Sequence, residues 1–171
     1  MSAASYRIEP LGAMHDRAAF HSGVPALDRY LHDQASQDAR RRVTTPFVMI
    51  DGSGSILGYY TLSAFGVQSG ELPDTIARKL PRYPLLPATL LGRLAVRQSQ
   101  HGQGLGHLLL VDALQRSLSS TYNVASIGVI VEALGENANT FYKRHGFTEL
   151  NDHPERLFLP MATIEKAFQV R

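Results

Sequence analysis

The sequence contains no cysteine among its 171 residues. Disulfides, thiolate metal sites and cysteine nucleophiles are therefore excluded from the outset. No apolar run approaches the ~20 residues of a membrane-spanning helix, and the opening stretch MSAASYRIEP lacks the apolar segment of a secretory signal. Charge of one sign is also scarce. With 17 Lys and Arg against 15 Asp and Glu, the formal net charge of +2 does not by itself announce a nucleic-acid binder. No repeat, linker or low-complexity tract is present. With 44% hydrophobic and 19% charged residues, the expectation is one globular, cytoplasmic domain over residues 1–171, with no membrane partner. The histidines (His15, His21, His32, His101, His107, His145, His153) form no pair at metal-ligand spacing with carboxylate support, so no metal is expected.

Hydrophobic patterning gives a mixed order of strands and helices. YRIEPLG (Tyr6 to Gly12) alternates as a first strand. PALDRYLHDQASQDARRR places Leu27, Tyr30, Leu31 and Ala35 at helical spacing behind Pro25, a residue suited to a helix start. PFVMID, GSGS and ILGYYTLSAFGVQ read as strand, turn and strand, with Gly52 and Gly54 as turn residues. PDTIARKLPRYP predicts a short helix broken by Pro81 and Pro84. ATLLGRLAV is an apolar strand interrupted in character by Gly92 and Arg93, followed by a glycine-rich loop and a helix over 103–117. VASIGVIVEAL is a second buried strand, and ENANTFYKRHGF a short helix closed by Gly146. FTEL and ERLFLPMA close a last hairpin around NDHP, and TIEKAF ends the pattern as a helix. Strand, loop, helix and strand in succession at the centre mark an α/β architecture.

The loop is the chemical signal. Gly102, Gly104 and Gly106 alternate at the mouth of the 103–117 helix. Glycine admits positive φ and close approach to the main chain. The first N–H groups of a helix lack partners and carry the positive end of its dipole, so the pair makes a phosphate site. A Walker A loop requires Lys followed by Ser or Thr, and His107 follows Gly106 here. A Rossmann fingerprint requires GxGxxG and an acidic residue on a second strand, and neither stands in place.

The remaining reading is an acetyl-CoA loop, and here the chain resembles the GNAT N-acetyltransferases, whose signature is [RQ]-x-x-G-x-[GA] after an apolar strand. It stands as His101-Gly102-Gln103-Gly104-Leu105-Gly106, with His in place of Arg or Gln and Gln100 next door. FHSGVPALDRYL, LLGRLAV, FYKRHGF and LFLPMATIEKA extend the resemblance over nearly the whole chain, to the acetyltransferase toxins of bacterial toxin–antitoxin pairs. That resemblance implies an α/β GNAT fold: a mixed central sheet of six to seven strands flanked by helices and splayed at the acetyl-CoA-binding strand. It implies acetyl-CoA as acetyl donor, aminoacyl-tRNA as acceptor, a ribbon-helix-helix antitoxin as partner and a homodimer. Rival expectations are an acetyltransferase for a small amine or a protein N-terminus, and a member that binds CoA or a partner without turnover.

By the same resemblance the loop from His101 to Gly106 takes the CoA pyrophosphate, and the main chain of Leu94, Ala95 and Val96 meets the pantetheine arm and the thioester oxygen. Tyr142 lies near the CoA sulfur and protonates the leaving thiolate. Thiol and phenol pKa values of ~8.5 and ~10 suit that transfer; the alternative is a half-buried aromatic packing this helix on the sheet. Where the family often has Asn or Asp, seven residues before Tyr142, stands Gly135; either Asn137, two positions later, substitutes for it, or that cofactor contact is absent. Glu132 is the best-placed carboxylate for a general base, or a solvated strand-end residue. An α-amine titrating near ~7.7–8.0 needs such a base less than a lysine near ~10.4. For an RNA acceptor, Arg40, Arg41, Arg42 and Arg93 are the contact candidates, with Arg78, Lys79 and Arg82 behind them. Arginine suits bidentate phosphate contact, but cations at a helix end also offset its dipole. Arg93, inside an apolar strand, must reach solvent, a carboxylate or a ligand.

Overall fold

Seven segments whose side chains alternate or run continuously apolar form strands: β1 (Tyr6–Pro10), β2 (Thr45–Asp51), β3 (Ile56–Gln68), β4 (Leu85–Val96), β5 (Gly128–Glu132), β6 (Thr148–Leu150) and β7 (His153–Pro160). In this computed structural model, which describes residues 5–169, they hydrogen-bond in the order β1-β2-β3-β4-β5-β7-β6. Every pair with a resolved register is antiparallel except β4 with β5, so the sheet is mixed, as expected. The helices are α1 (Pro25–Arg29), α2 (Ala35–Arg40), α3 (Asp74–Ala77), α4 (Leu105–Ser120), α5 (Glu136–Arg144) and α6 (Met161–Ala167). The described residues fall into two compact units, one holding the chain up to Ser63 with Gly92–Ala113, the other Ala64–Leu91 with the chain from Leu114.

In the first unit the β2–β3 hairpin turns where the sequence places its glycines, and Gly54 carries the positive φ of 85°. The carboxylate of Asp51 accepts the N–H groups of Ser53 and Ser55 at 2.9 and 3.0 Å, closing the turn. The predicted helix after Pro25 is not uniform. One turn of π-helix, Tyr30–Gln34, separates α1 from α2. The predicted face nevertheless packs inward: Tyr30, Leu31 and Ala35 are buried with Phe20, Val48, Ile50, Ile56, Tyr59 and Ala95. Gly58 on β3 permits a close approach, since a Cβ there would stand 2.7 Å from Leu109 Cδ1 and 2.8 Å from the carbonyl of Ala95.

In the second unit the core joins Val67, Leu72, Leu86, Ala88, Ile130, Leu150 and Phe158. Gly128 opens β5 where a side chain has no room, against the Leu159 carbonyl and the Phe158 ring. The terminal hairpin turns on Asn151 and Asp152, so His153 and Pro154, expected in the turn, already belong to β7. Gly146, at φ 92°, ends the α5 segment as predicted. Among the described residues no helix is long and apolar enough to cross a membrane.

Candidate active site

Strand β4 begins at Leu85, earlier than the apolar pattern suggested, and runs twelve residues to Val96. It pairs in parallel with β5 over Thr89–Leu91, and Gly92–Val96 run on beyond that register. Its far end is fixed by Arg97, whose main-chain N–H donates to the Leu57 carbonyl and whose Nε donates to that of Ile56, both at 2.8 Å. The chain then makes a single 3-10 turn, Gln98–Gln100, and enters the glycine loop.

Gly102 and Gly104 adopt φ of 81° and 78°, and a Cβ on either would meet no protein atom within 4 Å. Their requirement for glycine comes from the backbone conformation and from a main chain left bare. Gly106 does not share it, because α4 has begun at Leu105, whose buried side chain anchors the helix start. No acidic residue stands in the first turn of α4 to offset its dipole, so the open N–H groups there favour an anion. His101 is exposed, yet its Nε2 donates to the carbonyl of Val96 at 2.8 Å. The residue that departs from the family signature thus ties the loop to the end of β4.

Arg93, half-buried, has a neighbour that the sequence did not announce. Its guanidinium carbon lies 3.5 Å from the centroid of the Tyr30 ring. The Tyr30 hydroxyl donates to Asp38 Oδ2 at 2.8 Å, and Gln34 donates to the other Asp38 oxygen at 2.9 Å. Burial, then the bond to Asp38, pushes the Tyr30 hydroxyl above the ordinary phenol range. The Gln34 amide and then the Tyr30 hydroxyl hold the Asp38 carboxyl below its usual range, with help from the charges of Arg93 and Arg41. Tyr30 was legible only as a core residue of its helix. Its role as a platform requires β4 to be seen beside it.

In the second unit Tyr142 is buried on α5, edge-on to Phe141 and Phe147 with ring centroids 5.2 and 5.4 Å away. Its hydroxyl meets no hydrogen-bond partner among the described residues, and burial alone pushes its pKa up. Asn137 is exposed in the first turn of α5. Five residues at about 100° each put it roughly 140° around the helix from Tyr142, so the two do not share a face. Glu132 stands 3.8 Å from Arg156 Nε, and Arg156 Nη1 stands 3.8 Å from Glu71. The best-placed candidate base is therefore already beside a cation, a pairing not readable from sequence.

Arg40, Arg41 and Arg42 are exposed at the end of α2. The helix closes in a Schellman pattern, Val43 N–H to the Asp38 carbonyl at 2.9 Å and Arg42 N–H to that of Ala39 at 3.2 Å. Arg42 takes the left-handed position at φ 58°. Arg78 and Arg82 line a groove of about 720 Å³ in the second unit, with Leu72, Asp74 and Leu80. Among the described residues no group of three His, Asp or Glu could hold a metal ion.

A family model for the "Acetyltransferase (GNAT) domain" matches residues 87–168. The "Probable toxin TacT" of Sinorhizobium fredii is 30% identical over 95% of this chain and 94% of its own. A solved structure of AtaT complexed with acetyl-methionyl-tRNAfMet superposes with a TM-score of 0.89 at 33% identity, covering 96% of this chain and 100% of that one. A second, of a tyrosine-to-phenylalanine AtaT mutant bound to the C-terminus of the antitoxin AtaR and acetyl-CoA, gives 0.83 at 29% identity over 96% and 99%.

Proposed function

The chain belongs to the GNAT acetyltransferases, in the group that contains the acetyltransferase toxins, and on that premise we propose that it moves acetyl from acetyl-CoA to the α-amino group of an aminoacyl-tRNA and so blocks translation. The observation that carries this reading is the end-to-end likeness to AtaT held with acetyl-methionyl-tRNA. The glycine loop supports it independently. Within the loop from His101 to Gly106, the main chain from Gly102 onward and the first turn of α4 present bare N–H groups and an uncompensated dipole to a pyrophosphate.

The chemistry breaks a C–S bond and forms a C–N bond. The main chain of Leu94, Ala95 and Val96, on the stretch of β4 beyond its register with β5, meets the pantetheine arm, and the N–H groups on its open edge stabilise charge developing on the thioester oxygen. Tyr142 delivers its proton to the departing sulfur, and its unpartnered hydroxyl, held protonated by burial, suits an acid more than a base. Asn137 adds an exposed polar contact at the start of α5. The proton on the acceptor amine goes to solvent, since Glu132 is engaged with Arg156. Arg40 to Arg42 and Arg93 face the RNA. The protein works in the bacterial cytoplasm as a homodimer and is silenced by a ribbon-helix-helix antitoxin.

The test combines purified protein, labelled acetyl-CoA and a cell-free translation mixture. Synthesis should stop, with label on aminoacyl-tRNA, and Tyr142→Phe should abolish both effects. Continued synthesis with unlabelled RNA would overturn the reading and leave an acetyltransferase for another amine.

A further inference from the structure

We propose that Arg93, laid flat on the ring of Tyr30, is the clamp for the phosphodiester nearest the acceptor amine. The inference rests on the aminoacyl-tRNA reading above and adds a recognition element to it.

Stacking occupies the face of a guanidinium and leaves its five N–H donors projecting from the edge. For Arg93, 3.5 Å over Tyr30, those donors meet no hydrogen-bond acceptor among the described residues. Asp38 feels the charge of Arg93, which helps hold its carboxyl low, yet its hydrogen bonds come from Tyr30 and Gln34 and not from Arg93. Arg93 is half-buried, so its edge donors remain open to an incoming acceptor. The platform beneath it is rigid. Tyr30 is 6% exposed, is pinned by Asp38, and stacks on Tyr59 at 6.4 Å, whose own hydroxyl donates to the Leu27 carbonyl at 2.7 Å. Tyr30 also opens the π-helical turn, a distortion that recurs at functional sites. Structure of this kind around a strand arginine prepares it for an anion.

Position along the chain selects the anion. Arg93 and Ala95 point to the same side of β4, and Leu94 to Val96 are assigned to the thioester. The CoA phosphates are assigned to the loop after Val96, so Arg93 lies on the other side of the reacting carbonyl from them. What approaches there is the acceptor. An aminoacyl-tRNA carries a phosphodiester one ribose away from its α-amine, and two phosphate oxygens match the guanidinium fork. Tyr30 is the positioning residue, and Arg93 makes the contact.

The experiment compares three acceptors: aminoacyl-tRNA, adenosine aminoacylated at its 3′ hydroxyl, and the same ester bearing a 5′ phosphate. The wild-type protein should prefer the phosphorylated ester by roughly 10- to 100-fold in kcat/KM, expressed mainly in KM. Arg93→Gln should erase that preference and Arg93→Lys restore part of it. Tyr30→Leu should mimic Arg93→Gln, while Tyr30→Phe, which keeps the ring, should retain most of the preference. KM for acetyl-CoA and the melting temperature report on folding and on the donor side. No phosphate preference in the wild type, or an Arg93→Gln loss equal for both esters, overturns the clamp even if aminoacyl-tRNA is acetylated. Failure of the wild type to acetylate aminoacyl-tRNA overturns the parent reading instead, and is seen separately.

Discussion

His101 donates from Nε2 to the carbonyl of Val96 at 2.8 Å, so the glycine loop is tied to the strand that precedes it by the one signature position that departs from the family pattern. A glutamine amide, which the pattern allows at that position, can donate in the same way. His101→Gln should therefore bind acetyl-CoA nearly as the wild type does. His101→Ala should raise KM for acetyl-CoA about 3- to 10-fold, the worth of one hydrogen bond near 1 kcal/mol. Steady-state kinetics at saturating acceptor separate the two variants.

Tyr142→Phe should lower kcat by roughly 10²- to 10⁴-fold, the range for loss of a positioned general acid. Melting temperature should change little, because the ring contacts with Phe141 and Phe147 remain. Burial holds the hydroxyl above the ordinary phenol range, so the acid stays loaded as pH rises. The wild-type pH–rate profile should show no alkaline loss attributable to Tyr142 below pH ~10. A fall beginning near pH 8, absent in Tyr142→Phe, would contradict this assignment.

Gly58→Ala should destabilise the first unit by about 1–3 kcal/mol, the cost of forcing an atom into a packed core. The new methyl would press on both Leu109 and the Ala95 carbonyl. The Leu109 side chain can swing aside, whereas the carbonyl belongs to the backbone of β4. Chemical denaturation should show the loss, and KM for acetyl-CoA should rise with it.

The depressed pKa of Asp38 makes a pH prediction with a definite sign. A carboxyl whose folded pKa lies below its unfolded value of ~3.9 adds stability above that pH and loses it as pH falls through the folded value. Melting curves of the wild type should drop between pH 5 and pH 3. Asp38→Asn, melting lower at pH 7, should drop less over the same interval. Equal slopes would mean the Gln34 and Tyr30 bonds contribute no linkage.

Much of this was readable because the signals are local. The hairpin glycine, the bare Gly102 and Gly104, the Gly146 stop and the helix bearing Tyr142 each depend on residues within one or two turns of chain. What could not be read depends on pairing between distant segments. Nothing near Arg93 in sequence announces Tyr30, and nothing near Glu132 announces Arg156 or Glu71. The π-helical turn was hidden because its buried residues still fall on a helical stripe. β4 began early because Pro87 can occupy a strand position where its missing N–H is not needed. Asn137 stands near Gly135 in sequence, and helical rotation puts it on another face of α5 from Tyr142.

Arg42 ends its helix at φ 58°, a conformation in which a side-chained residue costs about 1–2 kcal/mol and glycine costs little. The chain therefore sits below its own stability optimum at this position, and the concession keeps a third guanidinium beside Arg40 and Arg41. Arg42→Gly separates fold from charge. It should melt at or slightly above the wild-type temperature, the relieved strain being partly offset by a more flexible unfolded chain. It should also bind tRNA more weakly, with a salt dependence shallower by about one phosphate contact. A protein made sturdier and slower by one substitution would identify this helix end as a place where selection has favoured RNA contact over stability.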